Sequence, residues 1–168
     1  MSEFLREYDS ARLPAGELLL EASDTECAAL AKRFGLVAIK SLSARITLLP
    51  DGPAVRASGR FEADVVQSCA VSDEDLPVHL AEPIALRFVP AGERLDSDEE
   101  VELSADELDD IELEGTRFDL GEAVAQSLAL AIDPYLEGPG AEEARRKAGL
   151  LGEGESGPFA ALKGLLKD

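Results

Sequence analysis

Four kinds of residue in this chain could do chemistry: a dense run of carboxylates, two cysteines, a single histidine and a scatter of arginines and lysines. The carboxylates dominate. Residues 91–114 hold twelve acids against Arg94 alone, a net −11 within a chain whose formal charge is −19. Close-set pairs such as Asp98-Glu99-Glu100 and Asp106-Glu107 invite a metal-dependent hydrolase, which is the alternative reading. They lack the glycine turn and oxygen spacing of a calcium loop, and no metal or other cofactor is expected. Like charge packed this tightly with few aromatics favours a solvated acidic loop over residues 91–110. Asp98, Glu99, Glu100, Glu102, Asp106 and Glu107 are therefore candidate partner-binding residues, a polyanion facing a basic protein.

The other reactive types are thinner. His79 is the only histidine, which leaves no histidine cluster and no histidine acid–base pair. No serine sits in a nucleophile-elbow context, and there is neither a phosphate loop nor a dinucleotide fingerprint, so a non-enzymatic protein is expected. Cys27 and Cys69 stand far apart without companion thiols, as reduced, buried side chains would. Lys32, Arg33, Lys40, Arg45, Arg56 and Arg60 face only Asp51 between residues 32 and 60, a net +5. These six are the candidate RNA-binding residues. Without interleaved aromatics, a solvated sheet face is the simpler expectation for them.

The elements that must position these groups centre on residues 59–90. Phe61, Ala63, Val65, Gln67 and Cys69 alternate with Arg60, Glu62, Asp64, Val66 and Ser68, the period of a half-buried strand. Val78, Leu80, Ile84, Leu86 and Phe88 repeat the pattern, Pro83 argues for an edge or a bulge, and Ser72-Asp73-Glu74-Asp75 makes the turn of a long antiparallel hairpin. Cys69 falls at the bend on the apolar side, beside Phe61 and Val65, where a structural role is expected. Leu42, Ile46 and Leu48 predict a preceding strand, joined through Pro50-Asp51-Gly52-Pro53, and Ile111 and Leu113 predict a short last one.

Upstream, residues 2–15 read as an irregular arm, and Glu17–Glu21 as a short strand. Ser23-Asp24-Thr25-Glu26 has the form of a capping box opening a helix, with Cys27, Leu30, Ala31 and Phe34 on its apolar stripe and Gly35 as its stop. Asp119-Leu120-Gly121-Glu122 predicts a second capping box and a broadly apolar helix ended by Asp133-Pro134. Residues 137–157 read as a mobile linker with room for a helical turn around Ala141 to Ala148. Phe159, Leu162 and Leu166 then form an apolar stripe on a helix too short to stand alone, either a tail docked on the core or a further candidate partner-binding element.

The expected architecture is an α+β domain over residues 1–136, carrying the acidic loop, with a flexible linker and short C-terminal helix over 137–168. Its core is an antiparallel sheet of about five strands, strongly twisted and with partial closure an option, and two helices pack on it. No apolar run approaches membrane-spanning length, and the first residues lack the apolar segment of a secretory signal, so a cytoplasmic protein is expected.

Several ordered stretches resemble the bacterial YceD family, the large ribosomal RNA subunit accumulation proteins. They are Val65-Val66-Gln67-Ser68-Cys69-Ala70-Val71, the run from Glu82 to Pro90 and the run from Phe118 to Leu130. Arg33-Phe34-Gly35-Leu36, Asp133-Pro134-Tyr135, Pro139-Gly140-Ala141 and the run from Pro158 to Leu162 extend the likeness over nearly the whole chain. The resemblance implies a non-enzymatic ribosome-biogenesis factor, acting on a large-subunit ribosomal protein or a pre-ribosomal particle. Two mechanisms fit: acidic shielding of a basic ribosomal protein, which the overall charge favours, and direct rRNA contact. It also implies a Cys-x-x-Cys at the hairpin, where this chain has Val66 and Cys69; one thiol cannot hold a zinc.

Overall fold

The computed structural model describes residues 2–91 and 109–149. They form two compact units, one of residues 2–66, 77–91 and 109–132 and a smaller one of residues 67–76 and 133–149.

Strict alternation builds the sheet of the first unit. Leu42, Ala44, Ile46 and Leu48 of β3 (Ala38–Asp51) and Val55, Ala57, Phe61, Ala63 and Val65 of β4 (Ala54–Ser68) are buried. Arg45, Arg56, Ser58, Arg60 and Glu62 point to the opposite, exposed face. β3 and β4 pair antiparallel from Ala38 opposite Val66 to Asp51 opposite Ala54, interrupted by a bulge between Ile39 and Ser41. β2 (Glu17–Glu21) pairs antiparallel with β3 on its other side. β5 (Asp75–Pro90) lies beside β4, and β6 (Asp109–Leu113) beside β5.

That last pair departs from the antiparallel expectation. β6 runs parallel to β5, with Leu86 opposite Asp109 and Pro90 opposite Leu113. Parallel pairing needs a long connection, which residues 91–108 supply, whereas the hairpin logic used for consecutive strands assumes a short one. β6 flanks only Leu86–Pro90, so Pro83 lies where β5 has no strand on that side among the described residues. The strand order ends at β2 and β6, and the sheet is open rather than partly closed.

The N-terminal arm is also not irregular throughout. β1 (Glu7–Asp9) pairs antiparallel with β7 (Arg117–Asp119), Tyr8 facing Phe118. Phe4 is fully buried, and Arg6 donates through both terminal nitrogens to Glu26, at 2.7 and 3.1 Å. Polar neighbours hide this anchoring in the sequence.

α1 (Asp24–Phe34) has the reciprocal capping box: Glu26 N–H donates to Ser23 Oγ at 3.4 Å and Ser23 N–H to Glu26 Oε2 at 2.8 Å. Gly35 ends it at φ 66°, a left-handed conformation that glycine adopts without a Cβ penalty. α2 (Leu120–Ala131) has only half of the expected second box. Asp119 Oδ1 accepts from Glu122 N–H at 3.1 Å, but the Glu122 carboxylate turns to Arg33 instead of reaching back. Cys27, Leu30 and Ala31 of α1 and Leu120, Val124 and Leu128 of α2 join the inner sheet face in one core. Burial of each large side chain there is worth about 1.5–3 kcal/mol.

In the smaller unit, buried Gln67 donates from Nε2 to the Asp133 carbonyl at 2.9 Å and Ala70 N–H to the Leu136 carbonyl at 2.9 Å. α3 (Ala141–Lys147) follows, occupying the stretch where a helical turn is expected.

Candidate functional site

The six basic residues singled out in the sequence do not form one patch. Lys32 and Arg33 belong to the last turn of α1, whose apolar stripe packs on the buried side of the sheet. Arg33 is committed to structure: its guanidinium donates to both oxygens of Glu122 at 2.9 and 2.6 Å and to Glu3 at 2.9 Å, and its pKa is raised, chiefly by Glu122. Arg45, Arg56 and Arg60 are on the exposed face of the sheet, Arg45 directly opposite Arg60 across β3 and β4. Like charges opposed in this way repel. Arg60 leans toward Glu62 at 3.5 Å and Arg56 toward Asp51 at 3.6 Å, a carboxylate also held by Arg87 at 3.0 Å. Arg45 has no carboxylate partner among the described residues.

The β3 bulge leaves Lys40 and Ser41 exposed in succession, beside Asp64 and His79. Asp64 Oδ2 accepts from Ser41 Oγ at 2.9 Å, and Oδ1 lies 2.8 Å from His79 Nδ1. The His79 hydrogen bond, then that of Ser41, holds the Asp64 carboxyl below its usual range. A serine, an aspartate and a histidine thus come together in the wrong order for nucleophilic catalysis: the aspartate stands between the other two, and the imidazole does not touch the hydroxyl.

Cys69 sits differently from the apolar contact expected of it. Its side chain is buried, yet Sγ accepts three backbone N–H groups, from Gly138 at 3.2 Å, Ser72 at 3.4 Å and Val71 at 3.5 Å. The Gly138 bond above all, with those of Ser72 and Val71, pulls the thiol down to about 7. The turn that supplies two donors contains Asp73 at φ 57°, a left-handed residue that bends the chain around the sulfur. Glu74 closes the loop by accepting from Gly140 N–H at 3.0 Å. Nothing in the sequence flags these donors, because backbone N–H groups carry no residue signature. Cys27 behaves as expected, buried on α1 with its pKa raised by desolvation.

Zinc does not fit this bend. Val66, at the position of the first cysteine in the Cys-x-x-Cys pattern, offers no ligand atom, and among the described residues no group of three or more His, Cys, Asp or Glu side chains is placed to hold a metal. The acidic candidates Asp98, Glu99, Glu100, Glu102, Asp106 and Glu107 and the tail candidates Phe159, Leu162 and Leu166 lie outside the described residues. No helix among the described residues is long and apolar enough to cross a membrane.

The family model described as "Large ribosomal RNA subunit accumulation protein YceD" matches residues 57–166. No curated protein matches, and no solved structure does.

Proposed function

The chain belongs to the YceD family of large ribosomal RNA subunit accumulation proteins, and from that premise we propose that it acts in the cytoplasm, without catalysis, by shielding a basic large-subunit ribosomal protein before assembly. One observation carries the choice of mechanism. The cations that could meet phosphate are dispersed over separate elements, and three of the six, Arg33, Arg56 and Arg60, face carboxylates, in a chain of net charge −19. Such a surface repels a polyanion and attracts a polycation. A free ribosomal protein rich in lysine and arginine is the polycation that an rRNA-accumulation factor would meet, and covering it keeps it from binding RNA out of order.

Neutralising Asp98, Glu99, Glu100, Glu102, Asp106 and Glu107 to Asn or Gln tests this. The fold should persist and binding to the basic partner should weaken, most visibly at low salt. Equal binding across a salt titration reduces the segment to a solubility device. Direct rRNA contact is the second reading, supported by exposed Arg45 and Arg60 facing each other across β3 and β4. It calls for association that nuclease abolishes and that Arg45→Ala with Arg60→Ala weakens.

A further inference from the structure

A groove of about 390 Å³ opens in the first unit, bordered by β1, β6, β7 and the first turn of α2. Its floor is apolar. Phe88 and Phe118 stack with ring centroids 4.3 Å apart, half-buried Ile111 lies beside them, and Leu5, 52 % exposed, stands at the rim. Among the described residues the walls carry five carboxylates, Glu7, Glu112, Glu114, Asp119 and Glu122, against Arg117 alone.

Two of these acids are already committed within the fold. Asp119 accepts from the N–H groups of Arg6 and Glu122, and Glu122 holds Arg33. Glu7 and Glu114 are exposed, and neither has a cationic partner among the described residues. β6 adds exposed Asp109 and Asp110, and it leads directly out of the acidic segment in the sequence. An apolar floor flanked by Glu7 and Glu114 matches neither phosphate, which the acidic walls would repel, nor a plain apolar ligand, which would leave these two carboxylates without counter-charge.

We propose that this groove docks an extended lysine- and arginine-rich segment of the basic partner, with one apolar side chain on the Ile111–Leu5 surface and cationic side chains reaching Glu7 and Glu114. This inference rests on the acidic-shielding reading and assigns it a docking site among ordered elements.

The test uses the full chain and a short fluorescent peptide of lysines and arginines around one central leucine, followed by anisotropy at low salt. Glu7→Gln with Glu114→Gln should weaken binding by about fivefold, and Leu5→Ser by about threefold. Glu17→Gln with Glu21→Gln, the same charge change on β2, should weaken it by less than about twofold. Amide resonances of β6, β7 and the start of α2 should shift on titration. Equal losses from the groove and β2 pairs, or no effect of Leu5→Ser, would mean diffuse attraction and overturn the groove. If the groove variants still capture a basic ribosomal protein that the acidic-segment variant loses, the docking site is wrong while the shielding function stands.

Discussion

Replacing Gly138 with alanine should raise the pKa of a thiol far away in sequence. Gly138 N–H is the closest and strongest of the three donors to Cys69 Sγ, and a Cβ on Gly138 would stand 2.7 Å from Leu76 Cδ2 and 3.1 Å from Glu74 Oε2. Both atoms are side-chain ends, but the Glu74 carboxylate is itself held by Gly140 N–H and Ser72 Oγ, so part of the contact is relieved by a shift of the segment and its N–H. An ordinary thiol is only about 3 % thiolate at pH 7, whereas Cys69, at about 7, is half ionised. Losing its largest stabilising bond should raise the pKa by about half a unit or more. Thiolate absorbance in the far ultraviolet reads the titration directly, and Cys27 does not interfere because burial pushes its thiol upward. A depressed folded-state pKa means that the thiolate contributes stability above the unfolded pKa and loses it as pH falls through about 7. Unfolding free energy should therefore rise between about pH 7 and 9, and Cys69→Ala should remove that rise. A wild-type protein whose first thiol titrates near its ordinary value would refute the three-donor description.

Two further outcomes test the N-terminal arm and the first helix. Gly121→Ala should destabilise by about 2–4 kcal/mol in denaturant unfolding: helix propensity offers about 1 kcal/mol in its favour, but the new Cβ would lie 1.8 Å from the Phe4 carbonyl oxygen. Relieving that overlap disturbs the Leu120 N–H bond to the Arg6 carbonyl and the Arg6 N–H bond to Asp119, each worth about 1 kcal/mol, on top of the overpacking. Glu26→Gln should cost about 1 kcal/mol at pH 7 through the cap and the Arg6 pair. The Arg6 hydrogen bond holds the Glu26 carboxyl at about 2. The difference between wild type and variant in a pH series of unfolding curves should therefore persist above its ordinary value and vanish as pH falls through about 2.

Elements with a strong period are legible in the sequence itself. The alternation from Phe61 to Val65, the capping box at Ser23 and the apolar stripe of α2 each lie where the sequence places them, because each is a local pattern with a local cause, whereas Val66 is buried against its polar parity and β4 ends at Ser68, before Cys69. The parallel return of β6 is not legible, since it depends on a pairing across residues 91–108 rather than on the strand's own composition. The anchoring of the arm stays hidden for a related reason. Phe4 and Arg6 find their partners in α2 and α1, far along the chain, and alternation over three residues of β1 is too short to register. Of the candidate site, the arginines of the exposed sheet face can be placed by parity alone. The role of Arg33 as a clamp on Glu122 and Glu3 cannot, nor can the backbone donors around Cys69.

The central claim, that this protein recognises a basic ribosomal protein rather than RNA, is tested most directly by affinity purification of the tagged full chain from growing cells, with and without nuclease. The shielding account predicts a lysine- and arginine-rich large-subunit protein, retained in near-equal amount after nuclease and released by salt. Recovery of rRNA with many ribosomal proteins, all lost on nuclease treatment, would contradict it.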